Sequence, residues 1–190
     1  YGYSTMGYEI AGGLGVKMAC PDREVYVMVG DGSYLMMAQE IVTSLQESQR
    51  LIIVLLDNHG FASIGSLSRS CGSGGFGTEY RHRQEGSLVG ETLTVDFAAN
   101  AASLGACAKR VTTRAELEDA LAAARTHPQT SVIVVETDYL EGVPNYESWW
   151  DVPIAEVSKM PAVQEARVNY EAARKNERYF LTADGKPELV

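Results

Sequence analysis

A chain of 190 residues with 45% hydrophobic and 22% charged side chains has the size of one ordinary domain and enough apolar material for a real core, which excludes a disordered polymer. Its formal charge of −9 argues against nucleic acid or an anionic membrane as the main partner, and no apolar run approaches the roughly 18 residues of a membrane-spanning helix. Cys20, Cys71 and Cys107 are odd in number, far apart and without metal-ligand spacing, the usage expected in a reducing cytoplasm.

The first predicted element is a small-residue helix over residues 6–19, in which Ile10, Ala11, Leu14, Val16 and Met18 are apolar and Gly12, Gly13 and Gly15 lie between them. An interior glycine costs about 1 kcal/mol relative to alanine, so close packing is expected to compensate. No strand precedes this glycine run and no acidic ribose partner follows it, which discounts a dinucleotide loop. Residues 24–29 and 51–56 are short apolar runs that predict buried strands. Between them, Leu35, Met36, Ala38, Ile41, Val42 and Leu45 recur at helical spacing and predict a helix over 34–50. The three form a βαβ unit, whose right-handed crossover sets the two strands parallel.

That topology brings together two stretches far apart in sequence, Gly30-Asp31-Gly32-Ser33 and Asp57-Asn58-His59-Gly60. Both leave the carboxyl ends of parallel strands, where open α/β sheets bind ligands. Alone, Asp31 or Asn58 reads as a turn former. As a pair of oxygen donors at neighbouring strand ends they read as a metal and diphosphate site. Mg2+ takes hard oxygen ligands and shares them with substrate phosphates. Asp31 offers a carboxylate, Asn58 an amide oxygen, and the chain at Gly60 a backbone carbonyl. Gly30 and Gly32 lack the Cβ atoms that would hold a diphosphate off the backbone, and a helix starting near Ser33 would turn its free N–H groups toward the phosphates. His59, directly after Asn58, is the catalytic candidate; a structural donor to the turn is its plainer role.

Residues 59–94 lose periodicity and fill with glycine and serine, which predicts an active-site lid or a solvated loop. Arg69, Arg81, His82 and Arg83 bring donors suited to a polyhydroxylated or anionic substrate, and Phe61, Phe76 and Tyr80 are its candidate anchors. Cys71 reads as an incidental thiol. The α/β rhythm then returns: a helix over 95–104 with Asp96 near its start, a strand over Cys107–Val111, a helix over Arg114–Thr126 opened by Thr112 or Thr113, and a strand over 131–137. The sum is an α/β fold, a doubly wound, mainly parallel sheet with helices on both faces. Beyond Asp138 the chain changes character. Tyr139, Tyr146, Trp149 and Trp150 cluster among acids and prolines and are expected to pack on this domain or a neighbour, and residues 162–179 read as a charged, mostly solvated helix. The expected division is a binding domain over 1–140 and a covering segment over 141–190.

Gly-Asp-Gly followed by an asparagine behind an apolar strand resembles the fingerprint of thiamine-diphosphate (ThDP) enzymes, and Ser4-Thr5-Met6-Gly7-Tyr8 resembles their aminopyrimidine-binding segment. Within them, MGYEIAGGLGVKMA, GDGSYLMMAQEI, LLDNHGFASIG and ESWWDVP, spread over residues 6–153, resemble the ring-opening trihydroxycyclohexane-dione hydrolases of inositol catabolism. The resemblance implies ThDP and Mg2+ as cofactors. It implies that Ser4, Thr5, Met6, Gly30, Asp31, Gly32, Ser33, Asn58, His59, Gly60 and Phe61 surround the cofactor, with Asp31, Asn58 and Gly60 on the metal. Met6 would be the hydrophobic wedge beneath it, and backbone groups of Ser4 and Met6 would bond the aminopyrimidine. Asp57 stands where the family usually has asparagine, just before the ligand rather than as one. The implied activity is hydrolytic C–C opening of a cyclic polyol dione to a deoxy-uronic acid. The implied partner is an N-terminal pyrimidine-binding domain of a second subunit, which supplies the activating glutamate, in a homodimer or homotetramer. No residue here matches that glutamate motif, and the start at Tyr1 reads as an internal cut. The chain is therefore expected to be the diphosphate-binding part of a cytoplasmic polypeptide of roughly three domains, inactive alone. The alternatives are an acetohydroxyacid-synthase-like carboligase, a decarboxylase of 2-oxo acids or malonic semialdehyde, and a diphosphate-binding regulatory module without catalysis. Trp149 and Trp150, if not simply packed, would shield the cofactor.

Overall fold

The computed structural model describes residues 5–138, 141, 151–176, 180–181 and 187–188. They fall into two compact units, residues 1–62 with 77–142 and residues 63–76 with 143–190.

In the first unit, α1 (Glu9–Ala19) leads into β1 (Tyr26–Gly30), α2 (Asp31–Met37), α3 (Glu40–Gln46) and β2 (Ile52–Asp57). After the segment that follows β2, and after α4, which belongs to the second unit, come α5 (Phe97–Ser103), β3 (Cys107–Val111), α6 (Arg114–Thr126) and β4 (Ser131–Glu136). The four strands make one parallel sheet in the order β1-β2-β4-β3. Side chains alternate across it. Val27, Val29, Ile53, Leu55, Val132 and Val134 face a core completed by Ile10, Leu14, Tyr34, Ile41 and Phe97 from α1, α2, α3 and α5. Ile52, Val111 and Ile133 face Ala120 and Ala124 of α6 on the other side. Helices therefore cover both faces, as the sequence predicts. Each fully buried Ile, Val or Leu contributes roughly 1.5–3 kcal/mol, so this two-sided burial holds the strand ends in place.

Local chemistry sets the element ends. Gly7 takes φ +88°, a conformation no helix contains, so α1 begins at Glu9 and not at Met6. The single helix expected over 34–50 is two: Ile41 and Val42 donate to the carbonyls of Ala38 and Gln39 three residues back, and this tighter turn separates α2 from α3 while Tyr34 and Ile41 both stay fully buried. The Asp96 carboxylate caps α5 by accepting from the Ala99 N–H at 2.9 Å. Thr113, rather than Thr112, caps α6, in a reciprocal pair with Glu116. β1, expected to be buried on both faces, is an edge strand in the described sheet. Tyr26 and Met28 are 46% and 67% exposed, whereas α6 packs on β2, β3 and β4.

The stretch 59–94 is not structureless. It contains α4 (Ala62–Ser70), and Gly60 pairs with Glu79 and Arg81 with Thr92 in antiparallel bridges. In the second unit, Ile154, Val163 and Tyr170 bury one side of α7 (Pro161–Arg174), with Cys71 and Ala166 packed against them. The helix expected over 162–179 thus has a packed face. Arg167 donates to the Ile154 carbonyl at 2.8 Å and lies 5.4 Å from the Tyr170 ring centroid. Two short strands, β5 (Phe180–Leu181) and β6 (Pro187–Glu188), pair antiparallel. Ser4, Tyr139, Tyr146, Trp149 and Trp150 lie outside the described residues. Among the described residues, no helix is long and apolar enough to cross a membrane.

Candidate metal and diphosphate site

The register of β1 on β2 sets Gly30 opposite Leu56, so Asp31 and the Asp57–Gly60 turn emerge side by side at the carboxyl edge of the sheet. Gly30 is extended and Asp31 is the first residue of α2, two residues earlier than expected from Ser33, which is itself buried. The Asp31 side chain has no solvent exposure. Its Oδ1 accepts from the Gly32 N–H at 3.0 Å and its Oδ2 from the Gly60 N–H at 2.8 Å. Burial raises its pKa to about 6, against the lowering effect of those two amides; the Asp57 charge adds to the rise and His59 opposes it.

With its oxygen turned inward, the Asn58 amide stands 2.8 Å from the Gly60 carbonyl oxygen and 3.1 Å from Asp31 Oδ1. Three oxygens, from a carboxylate, an amide and a carbonyl, then converge on one point. Neighbouring ligands of an octahedral Mg2+ stand about 2.9 Å apart, so this spacing suits that cation. Turned over, the same amide donates its NH2 to both oxygens, which satisfies the site without a cation. These are the residues that could hold a metal, and they are the three that the sequence singles out.

Backbone constraints deliver the third oxygen. His59 has φ +59°, a left-handed conformation that few non-glycine residues adopt and in which asparagine, aspartate and histidine are enriched. Gly60 has φ +154°, and a Cβ there would lie 2.2 Å from the Thr78 carbonyl oxygen, so only glycine fits where the chain returns. Phe61 N–H donates to Thr78 and Tyr80 N–H to His59, at 2.7 and 3.1 Å.

Around the turn lies a second cluster. His59 Nδ1 is 3.3 Å from Asp57 Oδ1 and its Nε2 is 3.4 Å from Glu136 Oε1. Arg110 reaches Asp57 Oδ2 at 3.6 Å and Glu136 Oε2 at 3.2 Å. His59 therefore sits beside the site as expected, but both of its ring nitrogens face acids.

The two glycines of the first motif differ. Among the described residues, Gly30 has no atom beyond its chain neighbours within 4 Å of where a Cβ would stand, which leaves space there for a ligand. At Gly32 the expected space for a diphosphate is taken: a Cβ would lie 2.6 Å from the Phe61 ring, so Gly32 is glycine because Phe61 packs on it. Thr5 is exposed and Met6 half-buried. A Cβ on Gly7 would come 2.9 Å from Met36 Cβ, which sets this segment against α2, the helix that begins with Asp31. Arg110, Glu136 and the role of Asp57 escaped the sequence reading. Arg110 and Glu136 stand at or near the carboxyl ends of strands, the same signal that marked Asp31.

Residues 1–135 match the family model of the thiamine pyrophosphate enzyme C-terminal TPP binding domain, and the chain belongs to that family. It is 47% identical over 168 residues to the 3D-(3,5/4)-trihydroxycyclohexane-1,2-dione hydrolase 2 of Bacillus cereus and to the 3D-(3,5/4)-trihydroxycyclohexane-1,2-dione hydrolase of Bacillus thuringiensis (strain Al Hakam). Each alignment covers 87% of this chain and 26% of the relative, so the chain spans about a quarter of the length of the curated relatives it matches. Among solved structures, the ThDP-dependent 4-hydroxybenzoylformate decarboxylase of Rhodococcus jostii RHA1 superposes with a TM-score of 0.56 at 21% identity, over 70% of this chain and 23% of that one. The benzoylformate decarboxylase of Polynucleobacter necessarius gives 0.55 at 25% identity, over 69% and 23%. They share the fold.

Proposed function

We propose that this chain is the diphosphate-binding part of a ThDP- and Mg2+-dependent hydrolase that opens a carbon–carbon bond of a cyclic trihydroxy-1,2-dione, yielding an open-chain deoxy-uronic acid in inositol degradation. The observation that carries the reading is the convergence of the Asp31, Asn58 and Gly60 oxygens beside the space left at Gly30. The 47% identity to hydrolases so named supports the substrate class.

In this reading, Asp31 Oδ1, Asn58 Oδ1 and the Gly60 carbonyl hold the cation, which neutralises the diphosphate. Gly30 and Ser33 border the phosphates. Ser4, Thr5 and Met6 meet the aminopyrimidine end, with Met6 as the apolar wedge. Gly32 and Phe61 act as a packed pair that shapes the wall. His59, held by Asp57 and Glu136, orients the turn; a catalytic role for it requires that one ring nitrogen leave its acid. When bound, the cofactor supplies an electron sink for breaking the carbon–carbon bond. The activating glutamate comes from the pyrimidine-binding domain of a second subunit in a homodimer or homotetramer, so the chain by itself does not turn over. The working compartment is the cytoplasm.

Calorimetric titration of ThDP, with Mg2+ and with EDTA, into the full-length polypeptide and its Asp31→Ala variant tests the site. Metal-dependent heat that the variant loses is expected. Binding indifferent to Mg2+ and to Asp31 rejects the reading. Product analysis with a trihydroxycyclohexane-1,2-dione separates the hydrolase from a carboligase or decarboxylase, and binding without turnover of any of these substrates would leave the regulatory module.

A further inference from the structure

Tyr80 lies on the segment that pairs back onto the Asn58–Gly60 turn. Its N–H donates to the His59 carbonyl at 3.1 Å, and its carbonyl accepts from the Leu93 N–H at 2.7 Å. Its ring stands edge-on to Phe61, with centroids 6.2 Å apart, and packs against the main core. Backbone and ring are thus fixed from both sides, which fixes the hydroxyl. That hydroxyl is sealed from solvent and has no hydrogen-bond partner among the described residues. A buried hydroxyl without a partner is rare and unfavourable, and its presence calls for a missing acceptor.

The contacts around it indicate where that acceptor is: its backbone bonds His59, and its ring meets Phe61, which packs on Gly32 beside Asp31. Burial first, then the charges of Asp31 and Asp57, push the Tyr80 phenol above the usual tyrosine range, so it is a neutral donor at physiological pH. The acids near it already have donors. Asp31 accepts the Gly32 and Gly60 amides, and Asp57 faces His59 and Arg110. A diphosphate brings oxygens that accept and no group that donates, so it complements a lone O–H near carboxylates that already have donors.

We propose that Tyr80 is a ligand-binding residue whose buried hydroxyl donates a hydrogen bond to a phosphate oxygen of the diphosphate held at Asp31, Asn58 and Gly60. The proposal rests on the metal–diphosphate reading of that site. It assigns to the segment after Gly60 a direct contact with the ligand, beyond its part in closing the turn.

Tyr80→Phe keeps the ring and its edge contact with Phe61 and removes only the hydroxyl. In the full-length polypeptide, calorimetry with Mg2+ and either ThDP or inorganic pyrophosphate is expected to show both affinities about tenfold weaker in Tyr80→Phe. The ligand-free melting temperature is expected to hold or rise, because the orphan hydroxyl is gone. That opposition between binding and ligand-free stability is one that a purely structural tyrosine does not produce. Tyr80→Phe affinities within twofold of wild type overturn the proposal, as does a loss seen with ThDP and absent with pyrophosphate. Asp31→Ala, run in the same series, isolates the underlying reading. If wild type itself binds neither ligand in an Mg2+- and Asp31-dependent manner, the metal–diphosphate site is rejected, and Tyr80 with it.

Discussion

Asp31 and Asp57 are two buried carboxylates at the carboxyl ends of neighbouring parallel strands, and the molecule treats them in opposite ways. Asp57 is compensated: Arg110 lies 3.6 Å from one oxygen and the His59 ring 3.3 Å from the other. Among the described residues, Asp31 accepts two backbone amides and faces the Asn58 amide, and burial raises its pKa to about 6. The same residue type in the same topological position thus serves two ends. One acid is a structural pin for the turn, and the other is the acid that the proposed site assigns to the cation. A buried, under-compensated carboxylate with an amide and a carbonyl oxygen beside it suits the divalent ion of the proposed site, because the ion would supply what desolvation removed.

Gly60→Ala breaks both halves of that comparison at once and has the largest expected effect. The added Cβ meets the Thr78 carbonyl at 2.2 Å, so the turn that carries Asn58 and His59 must shift. Destabilisation on the order of 3 kcal/mol by denaturant unfolding, with loss of Mg2+-dependent ThDP binding, is the expected result. A variant of near-native stability that still binds would show that the turn is not what aims the oxygens.

Asp31→Asn separates the two acids. It removes the charge proposed to bind the metal and also the desolvation penalty, so Mg2+ affinity is expected to fall on the order of a hundredfold while ligand-free stability holds or rises. The pH dependence follows from the same group. Because the folded pKa is raised to about 6 above the ordinary 3.8, the protonated form favours the folded state. The Asp31 contribution is therefore fully present below about pH 4, falls by about 2–3 kcal/mol as pH rises to about 6, and is flat above that. In Asp31→Asn that slope is expected to vanish from ligand-free stability curves; a slope that persists assigns the titration to another group. In wild type, Mg2+ binding is expected to weaken as pH falls below about 6, where the proton competes for the carboxylate.

Asp57→Asn is the smaller perturbation. It leaves Arg110 and His59 short of an acceptor in a partly exposed cluster, so a loss of about 1–2 kcal/mol in unfolding free energy is expected, with the pH slope from Asp31 kept but made shallower, because the Asp57 charge is one of the causes of the Asp31 rise. A stability unchanged from wild type would show that Glu136 alone holds the pair.

Much of this was legible in the chain, and the boundary of what was not has a physical cause. The strand ends, the pairing of Asp31 with Asn58 and the capping of α5 and α6 follow from short-range signals: apolar runs, helical periodicity, and turn or capping residues in fixed places. The sequence by itself determined that oxygen donors would meet at the carboxyl edge of a parallel sheet. Only the tertiary structure decided which neighbours those donors have. Phe61 filling the space at Gly32, Arg110 and Glu136 closing on Asp57 and His59, and the Tyr80 hydroxyl buried without a partner among the described residues all depend on segments brought together by strand order and chain return. Contacts of that kind are set by packing between elements, and no local periodicity encodes them.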